Sequence, residues 1–392
     1  MLLMTSSVEA QHNKEYIYGT VFTESGEKFS GFMRWGKEEF FWHDVFNSQK
    51  LSNKYIESPK ETKKSRWIDF DWDLSSLWED KYRTTSHLFS SFFGDIKTIY
   101  VKSSSKVKVE FKNGATYELN GGSNDIGTTI NIMDYELGKI KLAWNKIEKI
   151  EFSQAPDSID PPAGLPLYGK VSTRRKTFKG YIKWDLDERV GTDIMNGDSR
   201  HGDQEIPFKN IKEIEKLEEG VLLTFYSGRT LELDGSNDCD SDNRGIAIYE
   251  EGIGSVQVAW KSFQHIEFLD PPRNGIGYDD FASPEGIVAE INLFNGKTFS
   301  GVIVFDIDEM WEFELIDGKE DHIEYQIPFR NVERIVPKNS SYSMVYLKNG
   351  KELLLGEQQD VGRNNDGILL FKQSEKEPIH IPWDDIDEII IK

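Results

Sequence analysis

Phe178-Lys179-Gly180-Tyr181-Ile182-Lys183-Trp184-Asp185 decides how this chain is to be read, because the chain says it again elsewhere. The phrase Phe-x-Gly-x-(Met/Ile)-x-Trp, preceded by Gly-x-Val, occupies 19–35 and 169–184. A looser copy runs from Gly286 through Phe299 and Gly301 to Phe305. A second phrase follows each copy: Val-x-Phe-x-Asn-Gly at 109–114, Leu-x-Phe-x-Ser-Gly at 223–228 and Val-x-Leu-x-Asn-Gly at 345–350. Each then reaches a tryptophan (Trp144, Trp260, Trp383) and a closing apolar stretch. Self-similarity at this spacing marks a repeat protein.

Working outward, residues 1–15 read as a tail or the remnant of a signal peptide, and 16–154, 166–270 and 285–392 as three repeats. Each repeat has a first half (16–101, 166–217, 285–337) and a second half (105–154, 218–270, 340–392). The joints Ala155 to Gly164 and Asp270 to Gly275 carry proline and glycine, as linkers do; Ile276 to Pro284 lengthens the second. No such joint separates the halves, so each pair should pack as one unit.

Alternation such as Val256-x-Val258-x-Trp260 predicts strands throughout. In the second repeat the strands are expected at 167–173, 177–184, 190–195, 205–208, 211–217, 221–226, 230–233, 245–249, 255–260 and 265–269. Asn-Gly and Ser-Gly at 113–114, 227–228, 295–296 and 349–350 supply the positive φ of tight hairpins. Spacers such as Pro207 to Ile211 and Trp383 to Ile386 suit one 3₁₀ turn before the last strand of a half.

Five strands in about 50 residues, with one turn before the last, resembles the small barrels of the Sm-like and Src-homology type. The run Lys176 to Asp185 is similar to the first Sm motif. The expected fold is therefore all-β: a tandem repeat of small five-stranded barrels, six modules in three pairs. A six-bladed β-propeller, one blade per half, is the alternative. The basic RNA-reading loop that the Sm resemblance implies is not evident, since Asp185, Asp187 and Glu188 follow the second strand.

Composition narrows the function. A net charge of -21 on 392 residues repels a phosphate backbone, so no nucleic-acid partner is expected. The single cysteine, Cys239, excludes an intrachain disulfide, and no run approaches the about 18 apolar residues of a membrane helix. Ser6-Ser7-Val8-Glu9-Ala10-Gln11 has the small-x-Ala look of a signal-peptidase site without the basic start. A periplasmic or extracellular location is expected, a cytoplasmic one being the alternative.

Departures from the repeat point to function. The turn carrying Asn47, Asn196 and Asp317 is followed by a long insertion, about 49–88, in the first repeat alone. It opens with Lys54, Lys60, Lys63, Lys64 and Arg66. It continues through Trp67, Asp69, Phe70, Asp71, Trp72, Asp73, Trp78 and Tyr82. Long insertions in compact β-modules are functional or unstructured. Aromatics beside carboxylates suit sugar stacking or a protein anchor, so these residues, with Trp42, are the candidate contacts for a protein or glycan partner.

Asp125, Asp238 and Asp360 share one loop position, where an Asx-turn is the plain role. Asp238, Asp240 and Asp242 have the alternate spacing of a calcium loop, although Asn243 and Tyr249 stand where that loop needs glycine and glutamate. Calcium is the one cofactor considered. The acidic runs Glu38-Glu39, Asp185 to Glu188 and Asp306 to Glu309 recur in every copy, which suits a solvated rim better than an active site.

Phosphate-loop, zinc and Gly-x-Ser-x-Gly patterns are missing, and none of the seven histidines forms a close metal pair. The sequence favours a non-enzymatic binding or scaffold protein. The alternatives are a carbohydrate-active hydrolase, with Asp69, Asp71 or Asp73 opposite Glu38 or Glu39, and a calcium-stabilised surface repeat.

Overall fold

The computed structural model describes residues 13–50, 88–121, 125–161, 164–372 and 378–392. Regular structure there is antiparallel strand and short 3₁₀ turn, with no α-helix among the described residues. The first 152 residues contribute β1 (Tyr18–Thr23), β2 (Lys28–Trp35), β3 (Val45–Lys50), β4 (Leu88–Phe92), β5 (Ile96–Val101), β6 (Lys106–Phe111), β7 (Thr116–Asn120), β8 (Ile130–Asp134), β9 (Gly138–Leu142) and β10 (Ile147–Phe152).

Their order across the sheet is β4-β3-β7-β6-β5-β10-β1-β2-β8-β9, open at both ends. The halves therefore do not close separately into barrels, nor into blades of consecutive strands. They exchange strands: β2 of the first half pairs with β8 of the second, and β3 with β7. The closing strands β5 and β10 lie side by side. The missing joint between halves has this cause.

Two of these pairings, β2 with β8 and β5 with β10, return in full downstream. Thr177–Trp184 pairs with Ile246–Glu250, and Thr298–Phe305 with Ile368–Phe371. Ile211–Lys216 pairs with Phe263–Phe268, and Val332–Pro337 with Ile386–Ile391. The 3₁₀ turns expected at 207–211, 328–332 and 383–386 are Phe208–Asn210, Phe329–Asn331 and Trp383–Asp385, with others at Phe93–Asp95 and Trp144–Lys146; the Trp260 to Phe263 spacer is a turn and not a 3₁₀ helix.

The glycines of the repeated phrase mark where the exchanged strands cross. A Cβ on Gly31 would stand 2.1 Å from the Met133 carbonyl oxygen; on Gly180, 1.9 Å from that of Tyr249; on Gly301, 2.4 Å from that of Phe371. Opposite them in register lie Gly19, Gly169 and Ala289. The third copy thus begins at Ala289 and not at Gly286. One strand also differs from expectation. It runs Ile194–Ser199 and not 190–195, because Asp193 turns back to accept the N–H groups of Arg189 (2.7 Å) and Val190 (3.1 Å). Asn47, Asn196 and Asp317 accordingly lie within strands and not in a turn.

Strand alternation builds the core: in β6, Val107, Val109 and Phe111 face in while Lys106, Lys108 and Glu110 do not. One apolar cluster runs continuously from Leu167 to Ile391, and Gly254–Val258 pairs directly with Ile323–Pro328. The core around β1–β10 takes in Tyr278 and Phe281 from the second joint and Phe313 from further on. Phe313 stacks on Phe111 with centroids 4.3 Å apart, and Lys112 donates to the carbonyls of Tyr278 and Phe281. That joint is packed structure, not a free linker.

Gly180→Ala tests the crossing. Overpacking against a backbone carbonyl should lower unfolding stability by about 1–3 kcal/mol, read as a lower urea midpoint at unchanged slope. An unchanged midpoint would show that the strands can part there without cost.

Candidate functional site

Strand exchange lays the loops of each second half over the acidic turn of each first half. In that turn Asp185 and Leu186, and Asp306 and Ile307, have positive φ, with Gly36 in the first copy. This is the two-residue hairpin geometry that aspartate and glycine tolerate. The turn brings its carboxylates inward: Glu39, Asp185, Asp306, Asp308 and Glu309 are all buried. The solvated rim expected from sequence is thereby overturned, because loops and cations from elsewhere in the chain cover these groups.

The carboxylates hold backbone. Asp125, Asp238 and Asp360 accept the N–H groups of Asn47 (2.6 Å), Asn196 (2.7 Å) and Asp317 (2.6 Å), tying the second half's loop to the first half's third strand. Asp44 accepts from Phe40 and Phe41, and Glu314 from Met310 and Trp311, as Asp193 does from its own turn. Each of these three also meets a cation from another part of the chain: Arg189 on Asp44, Arg34 on Asp193 and Lys50 on Glu314.

Two of the cavities among the described residues lie at these clusters. The first, about 290 Å³, lies among Glu39, His43, Asp44, Asp125, Lys183 and Arg189. Lys183 bonds Glu39 at 3.0 Å. Burial outweighs that cation and pushes the Glu39 carboxyl up to about 8; burial likewise takes Asp125 to about 6. His43 is buried, stacks on Phe41, and is held down to about 3 by desolvation. Its Nε2 accepts from Arg189, so the neutral ring carries its proton on Nδ1.

The second cavity, about 250 Å³, is lined by Lys50, Leu88, Asp306, Asp308, Glu309, Glu314, Asp317 and Asp360. Lys50 donates to Asp308 (2.9 Å) and Glu314 (2.7 Å). One oxygen each from Asp306, Glu309 and Asp360 lies within 4.8 Å of the others. Burial, then the neighbouring carboxylates, raises all three well above the usual range.

Of the contact residues expected from sequence, Trp42 is wholly buried. It packs on Phe152 and Tyr278, and its indole donates to the Lys14 carbonyl, so it belongs to the core and offers no contact surface. Trp67, Asp69, Phe70, Asp71, Trp72, Trp78 and Tyr82, with Asp73, lie outside the described residues, as does the 6–11 segment. The insertion leaves at Lys50 and returns at Leu88, on the rim of the second cavity. Asp238 is spent on Asn196, and Asp240 accepts the N–H of Asp242 in an Asx-turn. The carboxylates that converge among the described residues are those of Asp306, Glu309 and Asp360. Sequence reasoning had each in view but could not superpose the turn of one half on the loop of the other.

No family model matches this chain, and no curated protein is similar to it. Among solved structures, one described as a streptogramin B lyase structure is 13% identical over 76% of this chain and 94% of that one. Its TM-score of 0.12 is too low to support an argument. No helix among the described residues is long and apolar enough to cross a membrane.

Glu39 makes stability depend on pH. It keeps its proton up to about pH 8 when folded, against 4.5 for an ordinary glutamate. Between those values the folded chain binds more protons than the unfolded one. This contribution is full below about 4.5 and is lost as pH rises through about 8. Glu39→Gln, neutral at every pH, should flatten the fall in melting temperature over that window. An unaltered profile would mean that Glu39 is ionised in the folded chain.

Proposed function

We propose that this is a non-enzymatic binding or scaffold protein, exported from a bacterium to the periplasm or beyond, that contacts a protein or glycan partner through the segment 49–88. The observation that carries the reading is where that segment is rooted. Gln49 and Leu88 are paired neighbours, and Lys50 and Leu88 line the 250 Å³ acidic cavity. The described ends of the aromatic and acidic insertion therefore stand beside a polar recess, an arrangement suited to hydroxyl-rich or cationic ligands. The recurring carboxylates, meanwhile, are engaged in caps and ion pairs that hold the body together.

The fold reading that goes with this is three repeats of two small five-stranded units with strands exchanged. The orders β10-β1-β2-β8-β9 and β5-β6-β7-β3-β4 each group five strands, as the small-barrel reading needs, and support it.

A hydrolase using Glu39 is the second reading. It is favoured by a carboxyl raised to about 8 beside Asp125 in the first cavity, the property a general acid needs.

Two variants separate the readings. Residues 51–87 are replaced by a two-residue connection like Arg200-His201, which joins Ile194–Ser199 to Gly202–Pro207. A specific partner or sugar bound by the intact chain in a pull-down and glycan array should be lost, with the melting temperature kept. Retention of the same ligand would sink the binding reading as placed. Turnover of a chromogenic glycoside that disappears in Glu39→Gln would favour the hydrolase.

A further inference from the structure

We propose that Asp306, Glu309 and Asp360 form a binding site for a hard divalent cation of calcium size. The three carboxylates come from two separate stretches of chain, the turn after Thr298–Phe305 and the loop after Glu352–Gly356, and meet on the wall of the 250 Å³ cavity. Their nearest oxygens lie within 4.8 Å of one another. Two ligands on opposite sides of one calcium ion, each at about 2.3–2.6 Å, stand about 4.6–5.2 Å apart, so three oxygens this close need only small side-chain adjustments to share a single ion. The all-oxygen donor set, without histidine or thiolate, selects hard cations.

The carboxylates are aimed by backbone. Asp306 accepts the N–H of Asp366 at 2.5 Å, and Asp360 that of Asp317 at 2.6 Å, each through one oxygen only. Glu309 is different. Its side chain is 8% exposed, and its Oε2 is buried with no hydrogen-bond partner. An orphaned carboxylate oxygen in so buried a place is costly unless something occupies it. The cavity leaves room for water to complete a coordination shell.

In the other copies a cation reaches the matching cluster, although Glu188, the second copy's counterpart of Glu309, also keeps a buried Oε2 with no hydrogen-bond partner. In the first, Lys183 bonds Glu39, the counterpart of Glu309. In the second, Arg244 reaches Asp185, the counterpart of Asp306, and Asp187. Arg244 and Asp366 are equivalent: each follows an asparagine that donates to the carbonyl of Asp238 or Asp360, and each N–H goes to Asp185 or Asp306. The third copy thus has a further carboxylate where the second has a guanidinium. Lys50, the ammonium that faces this cavity, is committed to Asp308 and Glu314. This site is separate from the Asp238-Asp240-Asp242 loop, and does not depend on what the insertion binds.

The test uses the full chain, stripped with chelator, in calorimetric titration with calcium and in thermal melts with and without it. One calcium should bind per chain and raise the melting temperature. Glu309→Gln, nearly isosteric, should weaken binding by at least about tenfold. Asp366→Arg should abolish the response by supplying the second copy's guanidinium. Asp240→Asn should leave it intact. No binding heat and no thermal shift in the parent chain would overturn the proposal. So would a response that survives Glu309→Gln, or one lost in Asp240→Asn, which would move the ion to the second copy's loop. If Asp366→Arg does not fold, the Glu309→Gln comparison decides alone.

Discussion

The architecture turns on a crossing too tight for a side chain. At Gly31, Gly180 and Gly301 the backbone carbonyl of a strand from the other half occupies the space a Cβ would take. None of these glycines is needed for positive φ; each is needed because two strands distant in sequence come into van der Waals contact through their backbones. Once β2 has β8 as its neighbour, β3 must look elsewhere, and it takes β7. The two closing strands are then forced side by side, and the two halves become inseparable.

That exchange explains the carboxylates. With the second half's loop lying over the first half's turn, polar backbone is buried at the seam and must be satisfied. Asp125, Asp238 and Asp360 do this for the third strand of each copy. Burying an acid for such a purpose has a cost, which cations from elsewhere in the chain offset: the Asp44–Arg189 and Asp193–Arg34 pairs are reciprocal across the same contact. Acid clusters that are local features of each copy in sequence therefore become the means by which distant parts of the chain hold together.

How much of this was legible follows from what is local. The strand content, the hairpin glycines at 114, 228, 296 and 350 and the 3₁₀ turn before every closing strand but Phe263–Phe268 depend on neighbouring residues, and the sequence displays them. Exchange of strands does not. The halves share alternation and turn chemistry, so nothing in Tyr181-Ile182-Lys183-Trp184 tells whether its partner lies at 194 or at 246. The same limit set Gly286, rather than Ala289, opposite Gly19, and set the acidic runs in solvent, where isolated charges belong. Val190 reads as the start of a strand until Asp193 claims its N–H. The insertion itself is legible as a departure from the repeat and in no other way.

Three stretches with the same aspartate cap separate what the fold requires from what each stretch adds. The backbone caps at Asp125, Asp238 and Asp360 are common to all, so they belong to the fold. The counter-charge is not common: an ammonium from a distant strand in the first copy, a guanidinium from its own loop in the second, and in the third a lysine turned to other acids. A cluster kept in geometry but changed in its neutralising partner has been released from one constraint and remains bound by the other. The cavity beside the third copy, lined by Lys50 and Leu88 at the ends of the insertion, is where that release leaves a buried carboxyl oxygen without a partner in the chain.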